Sequence, residues 1–390
     1  MDQQEELNAW LAQSPRNDGR LNPLCKKPIN GRMRSCRMMS DTLDGLRNLL
    51  ERLSNAHGVS GHEGSSRDIL TQELTPYVDE IRIDAFGNLI ATKSGKGPSV
   101  MLSAHMDEVG LSAKYVDENG FIYFIGIGGW FDQTVLNQRV RLHGTKGDVP
   151  GVIGSKPPHI LEEEEKKKPI PMKDMFIDIG ATSPEDVEGL GVGIGTPVTI
   201  DRQFTPLSGN FVTGKALDDR AGCAMMIEAM KRTAATTTVF AVGSTQEEVG
   251  LKGAKTASFG LNPDVAIATE TNIAGDHPGI EKKMAHLELG KGPSVTIVDG
   301  GGRGLITPDS VLRWIEGTAK KARIAYQRDV SSGGTTDATA INLTRAGIPA
   351  GVISVVTRYL HTPVEVLNLE DLDAAVELVA RMLESVADYF

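Results

Sequence analysis

Glu247 and Glu248 stand side by side where the apolar run Thr237-Thr238-Val239-Phe240-Ala241-Val242-Gly243-Ser244-Thr245-Gln246 gives out, and Gly250 turns the chain beyond them. A β-branched run ending in charge is how an open α/β sheet brings reactive groups to the crevice at its strand ends. One acid there would be an ordinary solvated loop residue. Two adjacent acids can divide the work, one holding a cation and the other moving protons, if further ligands converge. The chain offers such partners. His105-Met106-Asp107 follows the run Val100–Ala104, Asp218-Asp219 opens a helical stretch after Gly214-Lys215, Glu270 ends the run Asp264–Thr269, and His361 follows Ser354–Leu360. Each has a plainer reading alone: a surface turn for His105 and Asp107, a helix N-cap and a dipole-facing acid for Asp218 and Asp219, a structural loop histidine for His361. Together they form a nitrogen and oxygen donor set suited to Zn²⁺, Co²⁺ or Mn²⁺. Five ligands with one shared acid suit two ions about 3.5–4 Å apart, with one unliganded acid left to take a proton from water. Adjacency alone does not say which of Glu247 and Glu248 is that acid.

The elements that must position these residues are legible as alternating patterns. Leu43, Leu46, Leu49, Leu50 and Leu53 make a helical stripe that ends at the glycine-broken stretch His57–Gly64. A helix is expected over Ser66–Tyr77 and strands over Glu80–Ile83, Leu89–Thr92 and Val100–Ala104. Short β-prone segments with frequent glycine then run to about residue 207, which reads as a small barrel or sandwich. After Lys215 the alternation returns: helix 218–232, strand 237–246, helix 251–258, strand 264–269, helices 309–322 and 336–345, strand 350–355 and helix 369–388. The fold expected is α/β, a catalytic domain of residues 40–112 and 208–390 interrupted by an all-β, barrel-like insertion over 113–207. Residues 1–39 are polar, then basic, and read as a poorly ordered extension. Their acidic start, without an apolar core, is not that of a secretory signal.

Composition narrows the function classes. With 390 residues the chain exceeds the size of one core. A net charge of -10 argues against a nucleic-acid partner, since phosphate backbones need a basic footprint. No segment reaches the roughly 18 apolar residues of a membrane span, so no membrane partner is expected. The three cysteines are odd in number and form no CxxC, and Cys223 lies in a helical pattern. That usage fits a buried thiol in a reducing, cytoplasmic setting.

Four segments carry a resemblance: Ser99–Gly110 (SVMLSAHMDEVG), Gly214–Gly222 (GKALDDRAG), Ser244–Gly250 (STQEEVG) and Arg358–Glu365 (RYLHTPVE). They are similar to the motifs of metallopeptidase family forty-two, the glutamyl and deblocking aminopeptidases that assemble as tetrahedral particles. Gly154–His159, Phe176–Gly180 and Gly334–Ala338 match in the same order, so the likeness runs from about residue 41 to the C-terminus. The resemblance implies a three-layer, zinc-peptidase-like domain with a mixed central sheet, and two divalent ions per subunit, zinc or cobalt. His105 would bind one ion with Asp107 supporting it, Asp218 would bridge both, and Glu270 would complete the first set. Many relatives have Asp at that last position. Asp219 would follow Asp218 through a cis peptide bond. His361 and Glu248 would complete the second set. Glu247, counted with Asp107 as catalytic, would deprotonate the bridging water and return the proton to the leaving amine of a peptide substrate. The insertion would mediate dimers that build a dodecamer.

Other conspicuous residues draw plainer readings. His159 is expected to be structural, and Glu162–Lys168 a solvated loop. Asp299-Gly300-Gly301-Gly302-Arg303-Gly304 lacks the ending of a phosphate loop and reads as a loop shaping the substrate pocket. His57 and His62 are placed near the site entrance, and Asp337 as a helix cap or pocket residue. Two other classes compete with the peptidase. A glycoside hydrolase needs two carboxylates and no metal, and leaves His105 and His361 without a task. A non-catalytic assembly protein leaves the whole constellation without one.

Overall fold

The computed structural model describes the backbone of residues 30–390 and the side chains from residue 41 onward. The expected N-terminal extension falls, as far as residue 29, outside the described residues. From there the backbone is helical, in α1 (Asn30–Asn55). Two compact units divide within this helix, after Gly45. In the larger unit, Leu46, Leu49, Leu50 and Leu53 of the helical stripe are buried.

That larger unit continues through α2 (Gly64–Leu74), β1 (Glu80–Ile83), β2 (Leu89–Lys93) and β3 (Val100–His105). The next six strands are β4 (Gly110–Val116), β5 (Ile122–Ile127), β6 (Arg139–Gly144), β7 (Gly147–Ile153), β8 (Phe176–Asp178) and β9 (Pro197–Ile200). They close an antiparallel barrel in the order β4-β5-β8-β7-β6-β9. Leu111, Ile122, Phe124, Leu142, Ile177 and Val198 fill its interior. Closure removes the free edges that such short strands would otherwise present. Glu163–Lys166, expected as loop, is a short exposed helix laced by ion pairs three residues apart.

The chain then returns to the first sheet through β10 (Thr205–Pro206), β11 (Phe211–Gly214), α3 (Leu217–Arg232), β12 (Val239–Ser244), α4 (Lys252–Leu261), β13 (Val265–Ile273), β14 (Ser294–Val298), α5 (Asp309–Ala322), β15 (Gln327–Val330), α6 (Asp337–Asn342), β16 (Ala350–Arg358), β17 (Glu365–Asn368) and α7 (Leu369–Ser385). The sheet runs β1-β2-β12-β3-β13-β16-β17-β11-β10, with β14 on β16 and β15 on β14. Its centre, β12-β3-β13-β16, is parallel and its flanks are antiparallel. Every residue of β3 is buried, as a strand covered on both faces requires. α3 and α7 pack together on one face, and α4 and α6 on the other, making three layers.

Two departures from the expected pattern bear on the site. β13 does not stop at Thr269 but continues to Ile273, because its pairing with β16 persists through Ile273 and Thr357. Glu270 therefore sits inside a strand. β14, β15 and β17 carry no long apolar run, and pairing with β16 and with one another defines them.

A buried ion pair joins the layers beneath the sheet ends. Lys215 Nζ lies 2.8 Å from Glu108 Oε2 and donates to the Ala56 carbonyl at 2.9 Å. Arg220, fully buried, approaches the same carboxylate at 3.6 Å, and the Gly58 N–H donates to it at 2.8 Å. Removing one partner of such a group leaves buried charge uncompensated. Glu108→Ala is therefore expected to lower unfolding free energy by about 3–5 kcal/mol, read as a clear fall in the denaturation midpoint. An unchanged midpoint would show that Lys215 and Arg220 find other partners.

Candidate metal centre

Strand register assembles the site. His105 ends β3 and pairs directly with Ser244 of β12, so the loop carrying Glu247 and Glu248 departs beside it. Ala268 of β13 pairs with Ser103, which brings Glu270, two residues on, level with His105. His361 lies just past β16, at a left-handed φ of 58°. Asp218 and Asp219 begin α3 with non-helical backbone and a cis peptide bond between them.

The side chains converge in two groups around one acid. Asp218 Oδ1 is 3.3 Å from His105 Nε2, and its Oδ2 is 3.5 Å from His361 Nε2. Glu270 Oε2 stands 3.8 Å from His105 Nε2, and Glu248 Oε2 stands 3.6 Å from His361 Nε2. Asp219 also falls within 4.8 Å of the first group. Its oxygens, however, already accept the N–H groups of Gly222 at 2.9 Å and His105 at 3.2 Å, so it braces the site while Asp218 faces the centre.

Both histidines are oriented alike. His105 Nδ1 meets the Asp107 carbonyl at 3.2 Å, and His361 Nδ1 meets the Gly129 carbonyl at 2.7 Å. Each Nδ1–H is thereby held, and each Nε2 is directed inward, the arrangement of metal-binding imidazoles. Glu247 Oε2 lies 3.9 Å from His105 Nε2 on the same side of the cavity.

The electrostatics call for positive charge. Burial, with Glu270, Asp337 and Glu248 nearby, raises Glu247 well above the usual carboxylate range despite His105. Burial with Asp219 and Asp337 does the same to Glu270, and burial with Asp218 lifts Glu248 to about 7. Burial works against an imidazolium at His105, yet Glu247, Asp107, Asp218 and Glu270 push its pKa well up. Asp218 pushes His361 to about 10. Acids that hold protons and imidazoles that cling to theirs mark a cluster short of cations. Two imidazoles and three carboxylates, split by Asp218 into two sets, fit a pair of divalent ions.

The backbone around the centre is held by acids that do not face it. Asp107 is fully buried, absent from the cavity wall, and accepts the Glu247 N–H at 3.0 Å, the Glu248 N–H at 3.2 Å and the Ser60 hydroxyl at 2.6 Å. It positions the doublet and His105. Glu365, which carried no distinguishing signal in the sequence beyond its place in RYLHTPVE, accepts the Asp218 N–H at 3.0 Å and the His361 N–H at 2.9 Å, one per oxygen. Asp337 opens α6, but its carboxylate is neither cap nor pocket wall. It binds the hydroxyls of Ser103 and Ser244, tying β3 to β12. Cys223 is buried behind His105 and donates to its carbonyl at 3.2 Å, and burial raises its thiol far above reactivity.

The centre opens into a cavity of about 770 Å³. His57 and His62 are not at its entrance. They line a separate cavity of about 670 Å³ with His143, where Thr199 bridges His57 and His143 at 2.7 and 3.0 Å.

Glu365→Gln replaces one acceptor by an amide that faces an N–H. Losses of about 10–100-fold in metal affinity follow when such supports of metal ligands are removed. Chelator competition should show that loss; wild-type affinity would mean that Glu365 does not position Asp218 and His361.

The sequence model of the M42 glutamyl aminopeptidase family matches residues 87–378. The chain is 35% identical to the lysyl aminopeptidase of Pyrococcus furiosus over 87% of its length and 96% of that protein. It superposes on aminopeptidase APDkam598 of Desulfurococcus kamchatkensis with a TM-score of 0.84 and 40% identity, covering 88% of this chain and 95% of that one. The Pyrococcus horikoshii TET1 peptidase, which can assemble into a tetrahedron or a large octahedral shell, matches with a TM-score of 0.78 and 33% identity over 86% of this chain and 98% of its own. With the fold, the matched segments and the converging donors in agreement, the chain belongs to the M42 glutamyl aminopeptidase family.

Proposed function

We propose that this protein is a dimetal aminopeptidase that removes N-terminal residues from peptides. The observation that carries this reading is the division of the Asp218 carboxylate between two histidines, 3.3 Å to one side and 3.5 Å to the other. His105, Glu270 and Asp218 would hold one ion, and His361, Glu248 and Asp218 the other, with zinc or cobalt suiting the donors. Bound there, two such ions would acidify water and polarise a scissile carbonyl.

The chain's own residues supply the proton path. Glu247 lines the cavity, holds no backbone donor with its carboxylate among the described residues, and has a pKa raised by burial and by Glu270. It is the group placed to accept a proton from the attacking water and to return it to the departing amine. Asp107 keeps its backbone in register during that exchange. A metal-independent glycoside hydrolase is disfavoured, since two imidazoles aimed inward have no part in chemistry run by a carboxyl pair.

Self-association through residues 113–207 is part of the same proposal, with 40–112 and 208–390 as the catalytic part. Tyr115, Ile125, Phe131, Ile160 and Ile194 leave large apolar side chains exposed in this segment, as an interface would. Dimers paired there would build a dodecamer; the horikoshii relative can assemble into a tetrahedron or a large octahedral shell. Net charge -10 and the absence, among described residues, of a helix able to cross a membrane fit a cytoplasmic enzyme without nucleic-acid partners.

Glu247→Gln should retain bound metal while kcat for aminoacyl-nitroanilides falls by roughly 10³-fold or more. N-acetylated substrates should resist the wild-type enzyme. Normal turnover by the variant would sink the proton-transfer role, and cleavage of the blocked substrate would sink the exopeptidase assignment.

A further inference from the structure

The cavity wall beyond the metal centre is acidic in a way that the reaction itself does not use. Asn272 stands two residues beyond Glu270 on β13, on the same face of the sheet. Its Nδ2 donates to Ser294 Oγ at 3.3 Å and to Asp329 Oδ2 at 3.1 Å. Asp299, which follows β14, lines the cavity as well. One of its oxygens accepts the Leu305 N–H, and the other is buried with no partner. The two carboxylates are 4% and 7% exposed. Neither has a cationic side chain against it among the described residues. Lys283, the wall's only lysine, is exposed and paired with Glu281, and His286 Nε2 is bound to the Arg328 carbonyl.

A buried acceptor without a donor is costly, and beside a second acid it favours an incoming cation. Asn272, which bonds Asp329, lies two strand residues from Glu270, about 7 Å along β13. The four-carbon stem of a lysine, or the longer reach of an arginine, covers that span from a carbonyl held at the metal centre. Met284, Val330 and Leu360 supply apolar surface for the methylenes. A pocket for an acidic residue would need a cation where these two acids stand.

We propose that Asp299 and Asp329 form the side-chain pocket of this enzyme and select peptides with N-terminal lysine or arginine. The inference rests on the aminopeptidase reading above and deepens it. The test uses the metal-loaded full-length protein and lysyl-, arginyl-, norleucyl-, leucyl- and glutamyl-p-nitroanilides. Lysine and norleucine differ in little but the terminal ammonium, so wild-type kcat/KM for lysyl should exceed norleucyl by at least about tenfold, with glutamyl slowest. In Asp329→Asn and Asp299→Asn the lysyl-to-norleucyl ratio should fall roughly 100-fold. Faster cleavage of the norleucyl, leucyl or glutamyl substrate by the wild type would overturn the proposal, and that comparison needs no variant to fold. So would variants whose losses are equal for all substrates, which would place the acids on the α-amino group. Failure to cleave any of the five would instead bring down the aminopeptidase reading, and this inference with it.

Discussion

Carboxylates crowded together out of water repel one another, and burial makes each of them resist ionisation. Glu247, Glu248 and Glu270 live under that constraint at the ends of the parallel strands, while Asp218 between the two imidazoles is held below the usual carboxylate range despite its burial. Water would relieve the repulsion cheaply at a surface. In this cavity wall it is relieved by imidazoles that hold their protons and by the attraction the cluster has for divalent ions. The architecture around the centre follows from the need to keep these acids close in spite of themselves.

The supporting acids solve the same problem in another way. Asp107, Asp219 and Glu365 are buried too, but their carboxylates accept backbone N–H groups, and one oxygen of Asp337 accepts two hydroxyls. A buried polar group with its hydrogen bonds made is tolerable, and one without them is costly. The site thus has an inner set of acids that face the cavity and an outer set engaged with the backbone and hydroxyls around it. Gln246, at a left-handed φ of 55°, marks where the backbone is bent so that the Glu247 and Glu248 N–H groups can reach one carboxylate.

Much of this could be read before any coordinates. His105, Asp218, Glu248, Glu270 and His361 follow or end recognisable apolar runs, and a parallel sheet must bring such ends together, so their convergence was legible. Helix 309–322 follows from its periodicity and matches the observed Asp309–Ala322. Glu365 and Asp107 were less legible in role, since an acid serving backbone N–H groups has the same letter as one serving a metal. The lengths of β13 and the existence of β14, β15 and β17 depend on partners distant in sequence, which local patterns do not report. His57 and His62 sit in the loop between α1 and α2 and line a separate cavity, a placement that the glycines beside them do not report.

The 2.7 Å contact between His361 Nδ1 and the carbonyl of Gly129 crosses from the sheet to the chain just after β5. A methyl group on Gly129 would press on the same imidazole at 3.1 Å, so the glycine is there for closeness. The barrel is therefore not a detachable module. Excised or displaced, it would take with it the acceptor that sets the tautomer of His361, leaving at the sheet end an imidazole free to turn its other nitrogen inward.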